Sequence, residues 1–186
     1  MNIVDKSVLK KIYEFGKMSQ RQLADACDFS LGKINQSIQF LQNNEYIDLN
    51  WNLTDQSRNL IESFKPKRAI ILAAGLGMRM VPINTEVPKA LLKVKGETLI
   101  ERLICQLHEA GVYDIKVVVG FMKEEFEFLM DEYNVDLVCN MEYARKNNMY
   151  SLSLVSSNLA NTYIVPCDIW CEKNPFSACE LYSWYM

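Results

Sequence analysis

The sequence holds a single histidine, His108, and its six cysteines include no Cys-x-x-Cys pair. A zinc site of spaced Cys and His ligands is therefore not indicated. Cys167, Cys171 and Cys179 fall close together, but a fourth ligand is missing and His108 is far away in the chain. Reduced thiols are the expectation. His108 stands near the end of an expected helix, where a partly buried or dipole-facing role suits it. No apolar run approaches the roughly 18 residues that a membrane span needs, and Met1-Asn2-Ile3-Val4-Asp5-Lys6 lacks the apolar core of a signal peptide. A cytoplasmic protein with no membrane partner is expected. Charge of one sign is also scarce, since a net charge of −3 gives no global attraction to nucleic acid or an anionic surface. With 186 residues, 49% of them hydrophobic, the chain can build one large domain or two small ones.

The composition changes at Lys65-Pro66-Lys67-Arg68, where an amphipathic helical segment stops at a proline and a buried strand begins. This predicts a small domain over 1–65 and a second over 66–186. In the first, Val8, Leu9, Ile12, Tyr13 and Phe15 follow helical spacing within Val4 to Phe15. Ser19 can cap a short helix with Gln22 as its capping-box partner. After a break at Asp28-Phe29-Ser30, a third helix over Leu31 to Asn43 places Ile34, Ile38 and Leu41 inward. The alternating stretch from Tyr46 to Thr54 reads as a β-hairpin wing, and Thr54 caps a last helix to Phe64. Residues 1–65 resemble the winged helix-turn-helix domains of MarR-type regulators. That resemblance makes Lys33, Asn35, Gln36 and Gln39 the candidate DNA-reading residues, because amide side chains can read adenine edges. Lys/Arg and Asp/Glu are equal in number over 1–65, so a strong phosphate footprint is absent.

From 66 onward strand and helix alternate: strands at Ala69–Ala73, Ile115–Val119, Val135–Cys139 and Tyr163–Val165, with helices at Leu99–Ala110, Lys123–Tyr133 and Met149–Ser157 between them. This predicts an α/β fold, a Rossmann-like parallel sheet with covering helices, whose ligands sit at the carboxyl ends of the strands. At the end of the first strand the chain reads Leu72-Ala73-Ala74-Gly75-Leu76-Gly77-Met78-Arg79, with Pro82 and Pro88-Lys89 following. Gly75 and Gly77 let main-chain N–H groups approach phosphate oxygens. Arg79 offers a planar fork for phosphate and Lys89 a mobile point charge. The spacing lacks the third glycine of a dinucleotide fingerprint and the Gly-Lys-Ser/Thr ending of a P-loop. Asp168 directly follows the strand Tyr163-Ile164-Val165, so it lands on the same sheet edge and is the candidate magnesium ligand.

The string L-A-A-G-x-G-x-R, followed by a proline and then P-K-A-L-L, resembles the signature of the nucleoside-triphosphate transferases that make sugar and choline nucleotides. Asn140-Met141-Glu142-Tyr143 and Asn147-Asn148-Met149-Tyr150-Ser151-Leu152 are similar to a stretch of the bacterial CTP:phosphocholine cytidylyltransferases. The resemblance implies transfer of CMP from CTP to phosphocholine with Mg2+, in which Arg79 and Lys89 are catalytic and Asp168 binds the metal. It implies nucleotide contacts from Leu72, Ala73, Ala74, Gly75, Gly77, Gly120, Asn148 and Ser151, with Phe121 near the base. Transferase domains of this kind extend further than residues 66–186, so the resemblance implies that this is the N-terminal part of one. The acceptor pocket and a second metal carboxylate are then not represented, and Trp170, Trp184 and Tyr182 read as core or end residues. Two alternatives stay open: a sugar-1-phosphate nucleotidyltransferase, and a winged-helix DNA-binding regulator with a nucleotide-sensing α/β domain.

Overall fold

A computed structural model describes residues 1–75, 87–157 and 159–185. The chain forms two compact units, Met1–Lys65 together with Cys179–Met186, and Pro66–Ala178. The composition predicts one domain over 66–186, whereas the last residues, from Cys179, group with the helical unit.

In the helical unit, α1 (Ile3–Phe15), α2 (Gln20–Cys27), α3 (Leu31–Asn43) and α4 (Asp55–Phe64) surround a core of Val8, Leu9, Ile12, Leu23, Ile34, Ile38, Leu41, Ile47 and Ile61. Their starts are fixed by side chains that accept the first free N–H groups: Asn2, Ser19, Ser30 and Thr54. Ser19 and Gln22 form the capping box that their spacing predicts. Leu181 and Cys179 join this core, and Lys10 Nζ meets Glu180 Oε2 at 2.7 Å. The expected wing is reduced to one antiparallel bridge, Ile47 to Leu53. The physical reason lies at its tip, where Asp48 accepts from Asn50 N, Asn52 N and Asn52 Nδ2 at 2.7–2.8 Å. These bonds, first the one from the Asn52 side chain, hold the Asp48 carboxyl below its ordinary range. The side chain of Asp48 closes the turn, beside two cross-chain main-chain bonds, Asp48 N to the Asn52 carbonyl and Thr54 N to the Tyr46 carbonyl.

The α/β unit carries a four-stranded parallel sheet in the order β5-β4-β1-β6, from β1 (Arg68–Ala73), β4 (Asp114–Val119), β5 (Asp136–Cys139) and β6 (Thr162–Pro166). Ala69, Ile71 and Ala73 face one core with Ile100, Leu103, Ile104 and Leu107 of α5 (Leu99–Glu109). Ile70 and Ala74 face the other core with Val118 and Val155, against which Leu152 of α7 (Asn148–Ser153) packs. Burial on both faces is why β1 reads as an unbroken apolar run.

Three elements differ from the expectation. A hairpin of β2 (Lys93–Val94) and β3 (Glu97–Thr98) precedes α5, turning on Lys95 and Gly96 with φ of 53° and 96°. The expected helix over Lys123–Tyr133 is a 3-10 turn, Lys123–Phe126, followed by α6 (Phe128–Tyr133), with no side-chain cap at either start. Helix α7 ends four residues early, where Ser153 Oγ and Ser156 Oγ donate back to the carbonyls of Tyr150 and Ser153.

Candidate nucleotide-binding edge

The carboxyl ends of β1, β4, β5 and β6 converge on one edge of the sheet. Leu72 is half-buried, Ala73 and Ala74 are buried, and Gly75 emerges into solvent. Beside them Gly120 directly follows β4. Its need for glycine is steric: an added Cβ would stand 2.6 Å from Tyr143 Cβ and 2.9 Å from the Ala74 carbonyl oxygen. The Phe121 N–H donates to that same Ala74 carbonyl at 3.5 Å, and the Phe121 and Tyr143 rings lie 6.5 Å apart.

At the end of β5 stands Asn140, 1% exposed and absent from the sequence-derived site. Its N–H donates to the Val119 carbonyl at 2.8 Å, its Oδ1 accepts from Glu142 N at 2.9 Å, and its Nδ2 donates to Ser151 Oγ at 3.0 Å. One amide thus ties two strand ends, the following loop and α7 together. Ser151 is 2% exposed and spends its hydroxyl on Asn140, so its place is beneath the edge. Asn148, the first residue of α7, is exposed, and the preceding Asn147 caps the helix by accepting from Met149 N.

Lys89 and Asp168 come together from segments far apart in sequence. Pro88 leads into a 3-10 turn, Lys89–Leu91, and Asp168 lies two residues beyond β6, whose extension is held by Cys167 N donating to the Leu72 carbonyl. Lys89 Nζ contacts Asp168 Oδ2 at 2.5 Å, with the two side chains 28% and 38% exposed. Gly77 and Arg79 lie outside the described residues, as does Pro82. No group of three His, Cys, Asp or Glu side chains converges among the described residues. Magnesium bound to nucleotides needs only one or two carboxylates, because phosphate oxygens and water fill the other positions. Asp168, a hard oxygen donor on the edge that carries Lys89, fits that donor set.

None of the six cysteines is in a disulfide. Burial pushes the thiols of Cys167 and Cys179 up to about 12, so neither is a thiolate near neutral pH. Burial also lowers the His108 pKa, and its ring stacks on Tyr113 at 5.1 Å. Trp170 is half-buried and already faces two cations of this chain, Lys95 Nζ at 4.7 Å and the Arg102 guanidinium at 5.2 Å from the ring centre. In the helical unit, α3 exposes Lys33, Gln36 and Gln39, whereas Asn35 is half-buried with its Oδ1 inside and unpartnered. No helix among the described residues is long and apolar enough to cross a membrane.

Residues 69–174 match the model of the MobA-like NTP transferase domain. The chain is 49% identical over 109 residues to a choline-phosphate cytidylyltransferase of Streptococcus pneumoniae, covering 59% of this chain and 48% of that protein. It is 35% identical over 117 residues to its namesake from Haemophilus influenzae, covering 63% of this chain and 50% of that one. A 2-aminoethylphosphonate cytidylyltransferase of Lancefieldella rimae is 51% identical over 85 residues, or 45% of this chain and 35% of that protein. Among solved structures, the CTP:phosphocholine cytidylyltransferase from Streptococcus pneumoniae superposes with a TM-score of 0.59 at 47% identity, over 61% of this chain and 50% of that one. The chain spans about half the length of the first two of these curated relatives. By the extent of the matching domain, the chain belongs to the MobA-like NTP transferase family.

Proposed function

We propose that this chain carries the nucleotide-binding part of an enzyme that transfers CMP from CTP to phosphocholine, forming CDP-choline and pyrophosphate. The observation that carries the reading is the Lys89–Asp168 pair on the carboxyl edge of the sheet, in a chain 49% identical over 109 residues to a choline-phosphate cytidylyltransferase. A phosphate oxygen of phosphocholine attacks the α-phosphorus of CTP in line. The bond from that phosphorus to the bridging oxygen breaks, and its electron pair leaves with pyrophosphate. A phosphate monoester is already anionic at neutral pH, so no protein base is required.

The residues then act by position and charge. Lys89 exchanges Asp168 for the α-phosphate and stabilises its developing charge, while Arg79 grips the departing phosphates. Leu72, Ala73, Ala74, Gly75, Gly77 and Gly120 bring main-chain groups to the nucleotide, Asn148 approaches from the start of α7, and Ser151 acts through Asn140. Asp168 would hold Mg2+, which when bound neutralises the triphosphate.

The test is product formation by the full chain from CTP and phosphocholine with magnesium, with 2-aminoethylphosphonate, glucose 1-phosphate and UTP as competitors. CDP-choline as the main product is expected, with Lys89→Ala lowering the rate about a hundredfold, the usual scale for losing one charge-stabilising group. A preference for 2-aminoethylphosphonate, the substrate in the name of the Lancefieldella rimae relative, would move the acceptor and keep the nucleotide. Turnover of UTP with a sugar phosphate would refute the reading.

For residues 1–65 we propose a winged helix-turn-helix module attached to the transferase, on the Ser30-capped α3 that follows α2 through Asp28-Phe29-Ser30 and exposes Lys33, Gln36 and Gln39. DNA as its partner requires binding that weakens steeply with salt. Binding insensitive to Gln36→Ala and Gln39→Ala would rule those two residues out as base readers.

A further inference from the structure

We infer that Arg102 is a positioning residue that sets the Lys89–Asp168 geometry by clamping together the two segments that carry them. The inference rests on the site proposed above. Lys89 belongs to the stretch that runs through Leu92 into the β2–β3 hairpin, closed onto α5 by Leu99 N donating to the Leu92 carbonyl at 3.1 Å. Asp168 belongs to the stretch that leaves β6 and continues through Trp170, Cys171 and Glu172. Arg102, on α5, reaches both. Its Nε donates to the Cys171 carbonyl at 2.9 Å and one terminal nitrogen to the Glu172 carbonyl at 2.6 Å. The other terminal nitrogen pairs with Glu97 of the hairpin at 3.1 Å, and the guanidinium plane lies over the Trp170 ring.

Only a planar fork can make these contacts at once, because lysine offers a single point of charge. Neighbouring bonds reinforce the clamp: Gln106 Nε2 donates to the same Cys171 carbonyl at 3.0 Å, and Lys95 of the hairpin pairs with Glu172 at 3.0 Å. The Lys95–Glu172 pair is exposed and adds little. The half-buried guanidinium holds the Asp168 segment by two main-chain carbonyls, besides its pairing with the Glu97 side chain, so it fixes where that segment runs. Among the described residues Arg102 bonds to Glu97, Cys171 and Glu172 and not to Lys89 or Asp168, so it acts through the segment that carries Asp168.

The test measures the pair without nucleotide. In the full chain, Lys89 acylation by an N-hydroxysuccinimide ester is followed by peptide mass spectrometry, with exposed Lys173 as internal reference. Asp168→Asn sets the ceiling by removing the partner, a rise of roughly threefold at the scale of one surface ion pair. Arg102→Gln is expected to reach that ceiling, and adding it to Asp168→Asn should give no further rise. Arg102→Lys, which keeps charge and bulk, should loosen Lys89 as well and serves if the glutamine variant does not fold. Lys89 labelling unchanged in the folded Arg102 variants, or a further rise in the double variant, would overturn the inference. A parallel titration of CTP separates this from the proposed function. Wild-type binding whose magnesium dependence survives in Arg102→Lys refutes the clamp alone, whereas no wild-type CTP binding refutes the function and leaves the labelling result to decide the clamp.

Discussion

Replacing Gly120 by alanine adds one methyl group where heavy atoms already stand at 2.6, 2.8 and 2.9 Å: Tyr143 Cβ, Tyr143 Cγ and the Ala74 carbonyl oxygen. None of the three is the far end of a flexible chain. Relief requires Tyr143 and the turn after Asn140 to move away, or β1 and β4 to part at the nucleotide edge. Overpacking of this kind costs about 1–3 kcal/mol, and the absence of a yielding neighbour places Gly120→Ala near the upper end. Gly32 supplies the control, since it lies inside α3 with nothing within 4 Å of an added Cβ and no positive φ. There alanine should stabilise by about 0.5–1 kcal/mol through helix propensity and loss of unfolded-state freedom. The assay is urea unfolding of the full chain, with midpoints compared at unchanged slope. A Gly120→Ala midpoint equal to wild type would refute the reasoning, because it would mean that β4 and the Tyr143 loop are not packed as described.

Two further outcomes follow from the titratable groups. At about pH 8, near the ordinary thiol pKa, iodoacetamide should alkylate exposed Cys139 first and leave Cys167 and Cys179 intact, since burial raises both to about 12; labelling at equal rates, read by mass spectrometry, would contradict their burial. Burial and the bond to Glu101 raise the Tyr133 hydroxyl from 10.0 to about 12. Below pH 10 both folded and unfolded chains keep that proton, and between 10 and 12 only the unfolded chain loses it, so stability falls across that window. Urea midpoints on either side of the window should converge more closely in Tyr133→Phe than in wild type, and an unchanged slope would count against the bond.

The helix limits of Leu31–Asn43 and the strand ends at Ala73, Val119 and Cys139 were legible because apolar period and cap residues agree there. Lys89 and Asp168 were both nominated from sequence and lie 2.5 Å apart. Their pairing was not legible, since it depends on Arg102 and a two-strand hairpin joining segments some eighty residues apart. That hairpin did leave a signal in Lys95-Gly96, a two-residue turn with both φ positive. So did the capping box of Thr98 and Glu101. Asn140 heads the Asn140–Tyr143 stretch that resembles the cytidylyltransferases, but its buried bonding role was not legible, because a buried asparagine and a loop asparagine read alike until their partners are known. The packing of Cys179 and Leu181 into the helical unit was equally hidden, as strand and helix alternation carries no information about where the chain goes after its last strand.

The edge bearing Lys89 and Asp168 is expected to bind CTP with magnesium. The measurement is calorimetric titration of the full chain with CTP, GTP, UTP and dTTP, each with and without Mg2+, repeated for Asp168→Asn. Selective CTP binding that tightens with magnesium in wild type, and loses that gain in Asp168→Asn, is the expected result. No nucleotide binding, or equal binding of all four with no response to magnesium, would contradict it.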